Sequence, residues 1–336
     1  MQWGWEVLRA VVGTVIIFSG VALVAAMFGV LLERKISAWM QSRLGPKHVG
    51  PQGLLQTLAD TIKLLQKENI VPARADRTIF ASAVVVVPLA ALLDYVVIPF
   101  GTTRSGPIIF RDLNIGVLYF AATSSLVVIG ILMAGWGSNN KYALLGGLRS
   151  AAQMVTYEVP IGVVLVTVAL LAGSLSTVTI VNGQGPNHLW YVLKQPVAFV
   201  IFLIAATAEV NRVPFDLVEA ESELVAGYFS EYSGMRFALF QLGEYGEMFA
   251  MAAMAVTLFL GGWLPPSARL GSFGAPSVLW FVIKLYAIIF LFMWVRWTYP
   301  RFRIDQMLNF SWKVLIPISV LNLVITAFFV IVGVHS

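Results

Sequence analysis

The sequence predicts an all-α membrane protein: a polytopic integral helix bundle of about eight transmembrane helices with one amphipathic helix at the interface. Three observations carry this. Of 336 residues, 59% are hydrophobic and 12% charged, against roughly 45–50% and about 25% in soluble domains. The apolar residues fall in eight continuous runs, each near the ~20 residues that a bilayer core requires. Basic residues gather on alternate connections between those runs. Soluble helices would need polar outer faces that this chain lacks, and barrel strands would alternate apolar with polar positions.

In order, the runs are Ala10–Leu32, Ile79–Phe100, Leu113–Trp136, Val159–Val181, Trp190–Ala208, Phe237–Trp263, Ser277–Val295 and Val314–Val334. The first is longer than a signal-peptide core and ends in Glu33-Arg34-Lys35, so it reads as a retained span. The connections after runs one, three, five and seven hold 16 Lys and Arg; the other side holds 5. Basic residues stay in the cytoplasm, which places both termini outside. The net charge of +5 therefore reflects topology, and nucleic acid is not an expected partner. Trp136, Trp190, Trp263, Trp294, Trp297 and Trp312 fall at or near run ends, where indoles favour the headgroup layer. No repeat or long linker divides the chain, so residues 1–336 read as one transmembrane domain. A bacterial plasma membrane is preferred, because nothing resembles a transit peptide.

With no cysteine, the chain cannot hold disulfides, iron–sulfur clusters or thiolate metal sites. His48, His188 and His335 lie far apart and outside the apolar runs, which argues against a haem held by two histidines. Electrons passing nearby would travel on another molecule.

Three features stand out from the apolar background. The first is the loop from Glu33 to about residue 78. Within it, Leu54–Gln66 places Leu54, Leu55, Leu58, Ala59, Ile62 and Leu65 at helical spacing, with Gln56, Asp60, Lys63 and Lys67 elsewhere. This is an amphipathic helix expected to lie along the membrane surface, either as an anchor or beside an entrance for a lipid-soluble ligand. The second is the acidic loop 209–247, where Glu209, Asp216, Glu219, Glu221, Glu223, Glu231, Glu244 and Glu247 stand against two basic residues. Acidic runs are commonly solvated loops. Here aromatic and apolar residues interleave, and Glu244 and Glu247 enter a mostly apolar helix, where an ionised carboxylate is costly.

The third feature is a set of ionisable residues at membrane depth. Glu158 precedes Pro160, and the weakly charged stretch 150–157 is able to extend that helix backward. Lys284 lies on the order of 12 Å into its run at 1.5 Å per residue. Either snorkelling or a buried carboxylate partner suits it; for Asp94, near the end of its run, snorkelling is the expectation. Carboxylates and a lysine at intermediate depth suit a proton relay, since each exchanges a proton when a neighbour's charge changes.

Three long motifs resemble the membrane H-subunit family of respiratory complex I, the proton-pumping NADH:quinone oxidoreductase. The first runs from Glu33-Arg34-Lys35 through Arg43-Leu44-Gly45-Pro46 to Gly50-Pro51-Gln52-Gly53-Leu54-Leu55-Gln56. The second is Ala208-Glu209-Val210-Asn211-Arg212-Val213-Pro214-Phe215-Asp216-Leu217 with Glu219, Glu221, Glu223 and Leu224 after it. The third is Tyr299-Pro300-Arg301-Phe302-Arg303-Ile304-Asp305-Gln306. The resemblance covers nearly the whole chain. It implies a subunit that joins a hydrophilic arm to antiporter-like membrane subunits and forms much of a quinone chamber. FMN and iron–sulfur clusters would be held by partner subunits, and no catalytic residue by this chain. The resemblance places the quinone path near Arg34, Trp39, Ala59, Asp60, Phe215 and Phe229. Asp216, Glu219, Glu221 and Glu223 would sense quinone reduction, and Glu158, Glu209, Glu244 and Glu247 would carry the response onward; Lys284 joins the proton-coupling candidates on its depth alone. Alternatives are the corresponding membrane subunit of an ion-translocating hydrogenase, a self-contained secondary transporter, and a structural anchor. Paired interrupted helices, which the transporter would show, are not evident.

Overall fold

The computed structural model describes residues 20, 27–103, 106–185, 189–217, 224–266 and 276–333. Helices dominate. α1 (Val30–Met40) starts in the first apolar run and continues past its end, and α2 (Gln56–Gln66) is the amphipathic helix. α3 (Arg77–Asp94) starts at Asp76, whose carboxylate accepts from the amides of Thr78 and Ile79 at 3.0 and 3.2 Å. That cap satisfies amides that have no partner within the helix. A small antiparallel hairpin follows, β1 (Gly101–Thr103) on β2 (Gly106–Ile108), an element that the apolar pattern did not announce.

α4 spans Gly116–Gly137, and α5 spans Lys141–Ala172. α5 bears out the backward extension through 150–157 and shifts the expected run Val159–Val181. It begins eighteen residues earlier, at the Asn140 cap, and stops at Gly173, whose φ of 67° is the left-handed turn that glycine adopts readily. Ile180 and Val181 belong instead to α6 (Thr177–Asn182). The fifth run is also divided. α7 (Tyr191–Lys194) ends at Gln195, which is not helical, and α8 (Pro196–Glu209) starts afresh with proline in its first turn. α9 covers Gly234–Phe259 and α10 covers Val278–Thr298. The last expected run starts early: α11 (Ile304–Phe310) passes through a π-turn, Ser311–Leu315, into α12 (Ile316–Val332).

Five described helices are long and apolar enough to cross a membrane: 77–97, 116–137, 141–172, 278–298 and 304–332. α9 has the length but carries two glutamates, and α8 is short at 14 residues. Of the first expected span, most residues lie outside the described set. α9 forms the centre of the bundle. From Tyr245 to Phe259 every residue is buried, with Ala250, Ala252, Ala253 and Ala255 letting neighbouring helices approach closely. α3 and α4 pack together, α5 packs on α4 and α8, and α12 lies outermost against α5.

Candidate functional site

α8 closes with a Schellman arrangement. The amides of Asn211 and Arg212 donate to the carbonyls of Ala208 and Thr207, with Asn211 left-handed at φ 53°. Asparagine tolerates that conformation. The turn delivers Arg212 into the bundle, where its guanidinium donates to both oxygens of Glu33 at 3.0 and 3.1 Å. Tyr245 donates its hydroxyl to Glu33 at 2.6 Å, and Arg296 of α10 donates to it as well. Arg212 also pairs with Glu244 at 3.0 Å and lies 4.4 Å from the centre of the Tyr245 ring.

Glu33 is 6% exposed. Burial pushes its carboxyl up, but Arg212, Arg296 and the Tyr245 hydroxyl outweigh burial and hold it below its ordinary range. Burial likewise works against the charge of Arg212, and Glu244 and Glu33 more than restore it. The cluster is a buried, mutually neutralising ionic network.

This network forms one wall of a cavity of about 460 Å³. α1 contributes Glu33, Arg34 and Ser37; α9 contributes Phe237, Gln241 and Tyr245; α10 contributes Arg296 and Trp297. α2 closes the far side with Thr57, Asp60, Thr61 and Leu64, and Asp60 pairs with Arg34 at 2.5 Å. The opposite face of α2 carries Leu58, Ile62 and Leu65, with Leu55 just before the helix, all exposed. α2 thus turns its polar face to the cavity and its apolar face outward.

Of the quinone-path residues implied by resemblance, Arg34 and Asp60 line this cavity. Trp39 is 75% exposed beyond it, and Ala59 is half-buried on α2 outside the lining. Phe215 is buried between the rings of Tyr157 and Phe302, and Phe229 among Tyr228, Phe237 and Phe240. Asp216 accepts from Arg301 at 3.2 Å, which joins the second and third sequence motifs. Glu219, Glu221 and Glu223 lie outside the described residues.

A second group of acids lies deeper. Three consecutive side chains of α4 serve three carboxylates from three other helices. Thr123 donates to Asp94 of α3, and Ser125 to Glu158 of α5. Ser124 is within hydrogen-bonding reach of Glu209 at the end of α8. Asp94 is therefore fully buried rather than snorkelling; the Thr123 bond and the surrounding helices hold it inside. Glu247, one turn beyond Glu244 on α9, is buried within electrostatic reach of Asp94, Glu209 and Glu158. Glu158 is half-buried and opens onto a groove of about 490 Å³ between α4, α5 and α12.

Lys284 belongs to neither group. Among the described residues it donates to the carbonyls of Leu260, Gly262 and Leu264 at 2.5, 3.0 and 2.5 Å and lies 4.1 Å from the centre of the Trp190 ring. It caps the end of α9. Its partners here are carbonyls, where the sequence had left a carboxylate open.

Sequence reasoning does not join Glu33, Arg212, Tyr245 and Arg296 into a unit: Arg212 enters it within the second motif and as a topology charge, and Arg296 as a topology charge alone. A signal existed: Glu33 is an acid beside a basic run, and Arg212 is a base within an acidic one. The Thr123-Ser124-Ser125 run inside an apolar helix was likewise available.

A family model described as NADH dehydrogenase matches residues 12–327. The chain is 47% identical over 332 residues to the H subunit of the NADH-quinone oxidoreductase of Geobacillus kaustophilus, covering 97% of each chain. It is 50% identical over 305 residues to the H subunit of the Rhodospirillum centenum enzyme, covering 91% of this chain and 89% of that one. The match to the corresponding Chlorobaculum tepidum protein is 47% over 342 residues, covering 98% and 94%.

Proposed function

The chain belongs to the NADH dehydrogenase family, and from that premise we propose that it is the membrane subunit of a proton-translocating NADH:quinone oxidoreductase. In this reading it forms part of the quinone chamber and couples quinone reduction to proton movement through buried carboxylates. Electrons arrive from FMN and iron–sulfur clusters held by hydrophilic partner subunits. Antiporter-like membrane subunits receive the coupled signal, and the groove beside Glu158 faces them.

The observation that carries this reading is the placement of the Glu33 cavity. It lies between the bundle and a helix whose apolar face is turned outward. A quinone is apolar in its tail and polar at its ring, so it requires both a lipid-facing approach and a polar chamber. Arg34, Ser37, Asp60 and Tyr245 supply donors and acceptors for the ring carbonyls. Reduction to quinol consumes two electrons and two protons, and protons drawn from groups of the chamber leave those groups with a changed charge. Glu33, Arg212 and Glu244 form a continuous ionic connection from that wall to α9. Glu247 is one helical turn further on, within reach of Glu209 and Glu158. In this reading Asp216, Glu219, Glu221 and Glu223 respond to quinone reduction. Lys284 holds the far end of α9 in register.

Two measurements on the assembled complex test the reading. A photoreactive quinone analogue should label peptides within residues 27–64 and lose that label to competing quinone; labelling confined to other segments would refute the chamber. Glu244→Gln should lower both quinone reductase activity and proton pumping several-fold at unchanged assembly. Normal values for both would remove Glu244 from the relay.

A further inference from the structure

α3 and α9 meet at an unusually close contact. A Cβ placed on Gly243 would stand 2.8 Å from the Val87 side chain and 3.2 Å from the amide nitrogen of Pro88. Further along the same contact, the Tyr95 hydroxyl donates to the Gly246 carbonyl at 2.7 Å. The neighbours of those two residues in sequence are Asp94 and Glu247. Asp94 is 0% exposed and Glu247 is 3% exposed. Thr123 donates to one oxygen of Asp94. Among the described residues, the second oxygen of Asp94 and both oxygens of Glu247 have no hydrogen-bond partner.

The surroundings offer no described countercharge. The charged groups acting on Glu247 are Asp94, Glu209 of α8 and Glu158 of α5, all carboxylates, and Tyr95 and Tyr119 are the phenols that feel Asp94. Two ionised carboxylates here would repel each other in a low-dielectric interior while three of their oxygens went without donors. A single proton removes both faults. The protonated member gains an O–H that donates to the other, and the pair carries one negative charge instead of two.

We propose that Asp94 and Glu247 form a carboxylate pair that shares one exchangeable proton, a proton-holding site at the α3–α9 contact. No bond other than O–H changes: on release the proton leaves and two carboxylates remain, and on uptake a second proton occupies the free oxygen. The Tyr95–Gly246 bond fixes the spacing of the two helices, and Thr123 holds the outer oxygen of Asp94. The site goes beyond the quinone reading and exists in the resting bundle, so its test requires no turnover.

The full-length chain in lipid nanodiscs is compared with Asp94→Asn, Glu247→Gln and the double variant by infrared difference spectra on exchange of H₂O for D₂O. A shared proton predicts one exchangeable carboxylic C=O band in the wild type. Each single variant should keep a shifted band of equal area, because the remaining acid retains the proton. The double variant should lose it. A wild-type area twice that of either single variant means two neutral acids and overturns sharing. Loss of the band in one single variant and no change in the other assigns the proton to one residue and also overturns it. No band attributable to the pair means both are ionised, again against the proposal. Should an amide variant fail to fold, Thr123→Val leaves both acids in place. It should shift the band at constant area, and a band that does not move excludes Asp94.

Discussion

The two acidic regions of the bundle handle buried charge in opposite ways. Around Glu33, every acid has a base: Arg212 and Arg296 on Glu33, Arg212 on Glu244, and Arg34 on Asp60. Around α4, the acids Asp94, Glu158 and Glu209 have hydroxyls instead. A guanidinium locks a carboxylate in its ionised form, because protonation would strand a buried cation. A hydroxyl both donates and accepts, and it tolerates either protonation state. The first region is therefore suited to hold a fixed field beside a cavity and the second to change protonation within it. Glu244 and Glu247, one turn apart on α9, connect the two.

The largest expected effect breaks the ionic side of this comparison. Arg212→Leu removes one of the two guanidiniums on Glu33 and the one paired with Glu244, and leaves Tyr245 without its overlying cation. Breaking a buried pair costs about 3–5 kcal/mol, because the remaining charge is uncompensated. Thermal unfolding of the detergent-solubilised chain should fall accordingly, and Glu244→Gln in the same background should recover part of the loss, because Glu33 still pairs with Arg296. A cost below about 1 kcal/mol would mean, on the scale of exposed ion pairs, that the network is solvated and the contrast false.

A smaller effect sharpens the same contrast through pH. The Glu33 carboxyl is held below its ordinary value of 4.5 in the folded chain. A depressed acid contributes stability that is fully present above the unfolded value and lost as pH falls through the folded one. The wild type should therefore lose stability on the acid side, starting near pH 4.5, and Glu33→Gln should flatten that limb. Charge-assisted hydrogen bonds at this site are worth about 1.5–3 kcal/mol each, which sets the size of the change. An unchanged acid limb in Glu33→Gln would show that Arg212 and Arg296 do not depress the group.

How much of this was legible in the sequence follows from the range of the forces involved. Apolar runs are local, and α3, α4 and α10 fall where hydropathy puts them. α5 was truncated because Lys141, Arg149, Gln153 and Glu158 dilute its first half, although the Asn140 cap marks the true start. The Glu33–Arg212 pair joins residues 179 positions apart, and no window of sequence shows it. Counting Arg212 and Arg296 for topology treated as separate the charges that the fold brings together. At the end of its apolar run, Asp94 reads as an interfacial acid; the hydroxyl that keeps it inside belongs to another helix. Lys284 illustrates the same limit, since its three carbonyl partners come from the irregular turn after α9.

The smallest effect falls on the hydroxyl side. Ser125→Ala removes the donor to Glu158 without removing a charge. A neutral hydrogen bond contributes about 0.5–1.5 kcal/mol net, and one to an ionised group about 1.5–3 kcal/mol. Glu158 opens onto a groove, so water is able to replace the lost donor, and the lower range applies. Thermal unfolding should therefore drop by about 1 kcal/mol, several-fold less than for Arg212→Leu. A drop of about 3 kcal/mol would mean that Glu158 depends on Ser125 as strongly as Glu33 depends on its bases, and the two regions would then differ in degree and not in kind.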